Sequence, residues 1–207
     1  MRRPNVFIRT AFQLSRLTLR PLCRGVWGLE VSGREHIPAG GPLIVCANHA
    51  SLLDAYVVIA AVDVPIRFVI TWDFYGPLAW RWIFWACATI PIGGGASLRR
   101  TVDRVNGVLE DDGIVGVFPE GRISLNGALQ PFQHGVARLA LRAGAPILPV
   151  YIDGSFEAMP RWARWPRRKP IRVRVGPVLP VPAEGPASAS EARALTVRLE
   201  EAIRSLV

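Results

Sequence analysis

Cysteine is scarce and badly placed for its structural uses. Cys23, Cys46 and Cys87 are an odd set, far apart and without a C-x-x-C pair. That spacing argues against a disulfide framework and a zinc site, and suits a reducing compartment. Long uncharged runs are also few. The longest without Asp, Glu, Lys, Arg or His, Trp82 to Leu98, is broken by Pro91 and by Gly93-Gly94-Gly95, which makes a poor membrane-spanning helix. No signal-peptide core is present, because Arg9, Arg16 and Arg20 interrupt the N-terminal apolar residues. Carboxylates are outnumbered, with 16 Asp and Glu against 25 Lys and Arg, for a net charge of +9. Lysine is nearly missing; Lys169 is the only one. The imbalance calls for an anionic partner: nucleic acid, a phosphate-bearing substrate or an anionic membrane. No nucleic-acid motif, no internal repeat and no G-x-S-x-G nucleophile turn occurs.

What is there is a foldable chain. Half of its 207 residues are apolar and 20% are charged, enough for one core and too few charges for disorder. Residues 5–20 have helical periodicity, with Arg9, Gln13, Arg16 and Arg20 on one narrow stripe and apolar residues over most of the rest. Such a helix either lies in a membrane interface, its guanidinium groups on lipid phosphates, or packs on its own domain with arginines in water. The division that follows is a membrane-associating helix over 1–24 and one further domain over 25–207. After Pro21 the pattern changes. Strands are predicted at Val26–Val31, Leu43–Ala47, Ile66–Ile70, Ile114–Phe118 and Ile147–Ile152, and an edge strand at Ile171–Val175, where arginine alternates. Helices are predicted at Leu52–Val62, Gly76–Ala86, Ser97–Asp112, Gln133–Ala143 (ended by Gly144) and 190–206, the last after a Pro/Ala/Gly-rich linker. Apolar strands alternating with helices predict an α/β fold, a sheet covered on both faces.

Two strand ends bear polar clusters. Leu43–Ala47 runs directly into Asn48-His49-Ala50-Ser51-Leu52-Leu53-Asp54, and the carboxyl end of a strand is where ligand crevices form in α/β sheets. A loop followed by a helical turn lets Asp54 fold back onto His49; on a continuous helix the two would stand about 140° apart. A carboxylate on Nδ1 fixes the tautomer and frees Nε2 to accept a proton. The competing reading is a capping box, since Ser51-x-x-Asp54 before an apolar run satisfies backbone N–H groups. The second cluster, Pro119-Glu120-Gly121-Arg122-Ile123-Ser124, follows Ile114–Phe118. Arg122 suits a phosphate, Glu120 either orients Arg122 or binds a polyol hydroxyl, and Gly121 permits close backbone approach. A polar turn with a surface Glu–Arg pair is the plainer alternative.

Asn48-His49-x-Ser51-x-x-Asp54, followed about 65 residues later by Phe118-Pro119-Glu120-Gly121-Arg122, resembles the glycerolipid acyltransferase family, which includes 1-acylglycerol-3-phosphate and lysophospholipid acyltransferases. Pro131-Phe132-x-x-Gly135 and Ile147-Leu148-Pro149-Val150 resemble its later blocks. The likeness spans roughly residues 25–180. It implies a twisted, mostly parallel sheet flanked by helices, with His49 as base and Asp54 as its orienting carboxylate. Glu120, Gly121 and Arg122, with Asn48 and Ser51, would form the acceptor-binding set. It further implies an acyl-CoA or acyl carrier protein donor, no metal or other cofactor, and docking on the cytoplasmic face of the inner membrane. The acceptor it suggests first is lysophosphatidic acid, with glycerol-3-phosphate, lysophosphatidylethanolamine or another lysolipid as alternatives. Two departures stand out. The arginine usual after a mid-chain strand is missing at Gly93-Gly94-Gly95, the nearest being Arg99 and Arg100. Glu-Gly-Thr-Arg-Ser reads Glu120-Gly121-Arg122-Ile123-Ser124, a variant similar to the acyltransferase half of fused lysophosphatidylethanolamine acyltransferase/acyl-carrier-protein synthetases.

Aromatics gather in two places. Trp72, Trp80, Trp82, Phe84 and Trp85 suit a headgroup layer, an acyl groove or an ordinary core. Trp162 and Trp165 among Arg164, Arg167 and Arg168 suit an interfacial patch. His36 and His134, lacking a nearby carboxylate in sequence, read as structural. Outside enzymes, the rival classes are a nucleic-acid-binding protein, which would show steeply salt-dependent binding, and a non-catalytic membrane scaffold, which has no use for paired strand-end motifs.

Overall fold

The computed structural model describes residues 6–62, 64–71, 89–92, 98–182 and 188–207, without the side chains of residues 6–9, 11, 12, 15, 16, 71 and 98. Seven strands occur among them: β1 (Glu30–Ser32), β2 (Leu43–Ala47), β3 (Ile66–Thr71), β4 (Ile90–Ile92), β5 (Ile114–Val117), β6 (Ile147–Asp153) and β7 (Arg172–Val175). The helices are α1 (Val6–Trp27), α2 (Asp54–Ala61), α3 (Leu98–Glu110), α4 (Gly135–Ala143), the single turn α5 (Ser155–Ala158) and α6 (Ala189–Arg204).

The sheet order is β1-β7-β6-β2-β5-β3-β4, with every neighbouring pair parallel except β6–β7. β2 sits in the middle because it has nothing polar to show water: all five residues are buried. Side chains alternate across a strand, so Leu43, Val45 and Ala47 enter one core layer while Ile44 and Cys46 enter the other. β6 divides likewise, with Leu148, Val150 and Ile152 on the first face and Ile147 on the second. α1 and α2 cover the first face, while α3, α4 and α6 cover the second. Cys46 pairs in register with both Val117 and Pro149. The carboxyl ends of the three central strands therefore lie side by side, and the turns leaving β2 and β5 are neighbours.

Two expectations need correction. Val26 and Trp27 are not strand: α1 continues through Pro21 and ends at Gly28, which is left-handed at φ 56°. Cys23 and Trp27 lie one turn apart and are both buried; that anchorage outweighs the missing Pro21 N–H and the strand pattern of the apolar run. The division between residues 24 and 25 therefore falls inside a helix whose last turns belong to the core. Finally, β7 is not an edge, because β1 pairs outside it. Its arginine alternation reports one solvated sheet face rather than a free strand side. The sequence alternation of Arg172 and Arg174 with buried Val173 and Val175 is otherwise retained.

The predicted helix at Gly76–Ala86, the aromatics Trp72–Trp85, Cys87 and Gly93–Gly95 lie outside the described residues. Gly144 ends α4 in the left-handed conformation, φ 57°, as the sequence suggested. Arg99 and Arg100 occupy the exposed first turn of α3. His36 places Nδ1 2.9 Å from the Val175 carbonyl and His134 Nδ1 3.1 Å from Thr196 Oγ1, both consistent with structural roles. No helix among the described residues is long and apolar enough to cross a membrane.

Candidate active site

His49 leaves the end of β2 in a turn that Asp54 ties shut. The Asp54 Oδ2 lies 2.9 Å from His49 Nδ1 and accepts the N–H groups of Ala50 and Ser51, each at 2.7 Å. The two sequence readings of Asp54 are thus not exclusive: one oxygen caps the turn and meets the imidazole. With Oδ2 already accepting two N–H groups, the contact fits the imidazole tautomer that donates from Nδ1, which leaves Nε2 as an acceptor. Asp54 is fully buried and the His49 side chain is 17% exposed. The other oxygen, Oδ1, is buried and makes no hydrogen bond to the described residues.

The second turn grips the first by its backbone. Glu120 Oε1 accepts the His49 N–H at 2.7 Å and Oε2 accepts the Gln130 N–H at 3.0 Å. The Ser124 N–H returns a bond to the His49 carbonyl at 2.8 Å. His49 is therefore held at both its N–H and its C=O by residues of the turn after β5. Glu120 is only 3% exposed, and both oxygens are taken by backbone rather than by Arg122 or open crevice. Burial pushes its carboxyl up to about 7, against the pull of those two N–H donors. Gly121 stands at φ 69°, a left-handed conformation glycine adopts without strain, and it and Arg122 are exposed.

Asn48 and Ser51, expected among the acceptor contacts, also have their polar atoms turned onto backbone. Asn48 bonds both the N–H and the C=O of Ile152, at 2.7 and 2.9 Å, extending the β2–β6 pairing by one side chain. Ser51 Oγ donates to the Met159 carbonyl at 2.7 Å and accepts the Leu53 N–H at 3.0 Å. The first turn has consequently spent the N–H groups of His49, Ala50, Ser51 and Leu53 internally.

One contact had no assigned part in the sequence reading. The Phe118 ring stacks on the His49 imidazole, centroids 3.9 Å apart and planes at 10°, and Phe68 stacks behind it at 5.4 Å. Phe118 immediately precedes Pro119-Glu120, so its place in the motif was the only available signal; Phe68, on β3, gave none. Gly116 makes room for this column, since a Cβ there would fall 2.5 Å from the Phe68 ring. Cys23 and Cys46 are free and buried, and burial raises both thiols, Cys23 to about 11, which disqualifies them as nucleophiles. Among the described residues no cluster of three or more His, Cys, Asp or Glu is placed to hold a metal.

A base-and-carboxylate pair at a shared strand edge, braced by a second turn, is fitted to proton abstraction. Residues 28–153 match the family described as Acyltransferase. The chain belongs to that family. Among acyltransferase relatives, human 1-acyl-sn-glycerol-3-phosphate acyltransferase alpha is 31% identical over 176 residues, 76% of this chain and 56% of that protein. The 1-acyl-sn-glycerol-3-phosphate acyltransferase of Pseudomonas aeruginosa is 29% identical over 180 residues, 82% of this chain and 67% of its own length. The chain thus spans little more than half the length of the human relative. The crystal structure of the 1-acyl-sn-glycerophosphate (LPA) acyltransferase PlsC from Thermotoga maritima superposes with a TM-score of 0.80 at 21% identity, covering 100% of this chain and 82% of that one. This likeness shows that the two proteins share a fold.

Proposed function

We propose that the protein transfers a fatty acyl group from an acyl thioester to the free hydroxyl of 1-acyl-sn-glycerol-3-phosphate at an anionic membrane surface. The observation that supports this most is the His49 Nδ1–Asp54 Oδ2 contact of 2.9 Å at the joint carboxyl edge of β2, β5 and β6. Asp54 keeps the proton on Nδ1, and Nε2 takes the proton of the acceptor hydroxyl. As that O–H bond breaks, the oxygen attacks the thioester carbonyl and forms the new C–O bond. Collapse of the tetrahedral intermediate breaks the C–S bond, and His49 returns its proton to the departing thiolate. General-base help of this kind is worth about 10²–10⁴ in rate, and fixing acceptor and thioester side by side supplies much of the rest. Arg122, exposed beside the left-handed Gly121, is the group assigned to the acceptor phosphate. Glu120, Asn48 and Ser51 act as positioning residues by holding the turns to the sheet. With the N–H groups of His49, Ala50, Ser51 and Leu53 committed, the oxyanion draws its donors from other groups of the crevice.

The test measures thiol release from palmitoyl-CoA and from a palmitoylated acyl carrier protein, with detergent-dispersed lysophosphatidic acid, for wild type and His49→Ala. The expected result is acceptor-dependent release in the wild type, abolished in the variant without loss of folding. Retention of most activity by His49→Ala would refute the mechanism. A panel of glycerol-3-phosphate and other lysolipids, run alongside, decides the acceptor headgroup, and the two donors decide between CoA and carrier protein.

A further inference from the structure

The chain between α5 and β7 leaves the carboxyl edge of the sheet and returns to it through a narrow neck. The Arg167 N–H donates to the Ala158 carbonyl at 2.7 Å, and Ala163 N–H to Pro160 carbonyl at 2.8 Å forms a turn inside the loop. The neck is fixed from two other elements. Ser51 Oγ binds the Met159 carbonyl from the His49 turn, and Trp27 Nε1, at the end of α1, donates to the Arg167 carbonyl at 2.9 Å. A loop tied down this firmly has no need of large apolar side chains at its tip. Yet Trp162 is 62% exposed and Trp165 81%. Trp162 meets Phe156 edge to face, centroids 5.6 Å apart at 81°, and still leaves most of its surface in water. Between Met159 and Pro170 there are five cations, Arg161, Arg164, Arg167, Arg168 and Lys169, and no carboxylate; all five are exposed.

Indoles held in water among unpaired positive charge match one environment well: the interface layer of an anionic bilayer, where the ring sits at headgroup depth and guanidinium groups meet phosphates. Two further observations favour a lipid surface over a protein partner. Leu125, on the loop after β5 at the same sheet edge, is 66% exposed, and that loop packs on Phe156 through Gly127, where a Cβ would fall 2.9 Å from the ring. α1, joined to the neck through Trp27, exposes Leu14, Leu17 and Leu22 by 50% or more. We infer that the loop from Pro160 to Pro170 is a second membrane anchor, beside α1, that seats the His49 edge of the sheet on an anionic bilayer. This deepens the lipid-acceptor reading: the acceptor would reach His49 from the surface on which the loop rests.

The experiment uses the full chain and two double variants, Trp162→Ser with Trp165→Ser and Arg161→Gln with Arg164→Gln. Co-sedimentation is measured with phosphatidylcholine vesicles, with and without phosphatidylglycerol, after thermal unfolding has shown the variants to be folded. Loss of the indoles should lower partitioning onto both vesicle types by on the order of tenfold. Loss of the two arginines should lower it by about tenfold on the anionic vesicles alone, an effect that shrinks with added salt. Partitioning equal to wild type for both variants overturns the proposal. So does unchanged partitioning with a raised KM for an acylated carrier protein, which would make the loop a protein-docking surface. A parallel assay with a short-chain, monomeric lysophosphatidic acid separates this idea from the activity it rests on. Turnover there should be equal in wild type and variants; none in the wild type sinks the activity and leaves the vesicle result to decide the anchor.

Discussion

Replacing Glu120 by Gln keeps the size of the side chain and one acceptor oxygen, but turns an NH2 group toward either the His49 or the Gln130 N–H. One of those donors, 2.7 and 3.0 Å from the native oxygens, then faces another donor. A buried donor left unpaired costs about 1–3 kcal/mol. The native carboxyl has an opposing cost. Its folded-state value of about 7, against 4.5 ordinarily, means that between those pH values the folded protein keeps a proton that the unfolded chain releases. Stability must therefore fall as pH rises from about 4.5 to about 7, by of order 3 kcal/mol when the window is crossed. Gln does not titrate. Urea unfolding near pH 5 and near pH 8 should show the variant less stable at the lower value and equal to or above wild type at the higher. Because the oxygen on His49 N–H positions the base, kcat should fall about 10–100-fold, the equivalent of one charge-assisted hydrogen bond, while the acceptor KM stays within about threefold. Identical pH slopes in the two proteins would refute the stability argument. A raised KM at unchanged kcat would return Glu120 to the acceptor site.

Asp54→Asn retains an oxygen for the Ala50 and Ser51 N–H groups while removing the charge beside His49, so folding should persist and kcat should drop about 10²–10⁴-fold; activity within threefold of wild type, in folded protein, would remove Asp54 from the mechanism. Gly116→Ala drives a methyl to 2.5 Å from the Phe68 ring, which should cost about 1–3 kcal/mol by overpacking and lower kcat by displacing the rings stacked on His49. An unchanged Tm and rate would show that Phe68 gives way freely. Asn48→Ala orphans both the N–H and the C=O of Ile152 and should destabilise the chain by about 2–4 kcal/mol in urea unfolding; full stability with a raised acceptor KM would instead make Asn48 a substrate contact.

How much of this was legible in the sequence depended on whether a residue's neighbours were close in the chain. Leu43–Ala47 announced itself, being wholly apolar and bounded by Gly-Gly-Pro, and β2 has those limits. His49 and Asp54 lie within one turn of each other, so their contact followed from local geometry. The course of α1 through Pro21 did not, because Cys23 and Trp27 are fixed by a core assembled from β1, β7 and α2. Neither did the interior place of β7, since Glu30–Ser32 pairs with it from about 140 residues away. The partners of Glu120, Asn48 and Ser51 were hidden for the same reason: each polar side chain ends on the backbone of a distant segment. A motif states that a carboxylate or amide is required and leaves open whether it serves a ligand or the fold.

The double hold on the His49 peptide, N–H to Glu120 and C=O from Ser124, has a practical consequence for exchanging parts between relatives. A chimera that takes its β2 turn from one parent and its β5 turn from another asks two separately optimised surfaces to meet along two hydrogen bonds and a ring face. The smallest portable cassette is thus the pair of turns together with the Phe68 side of β3, though more than seventy residues of sequence separate its ends.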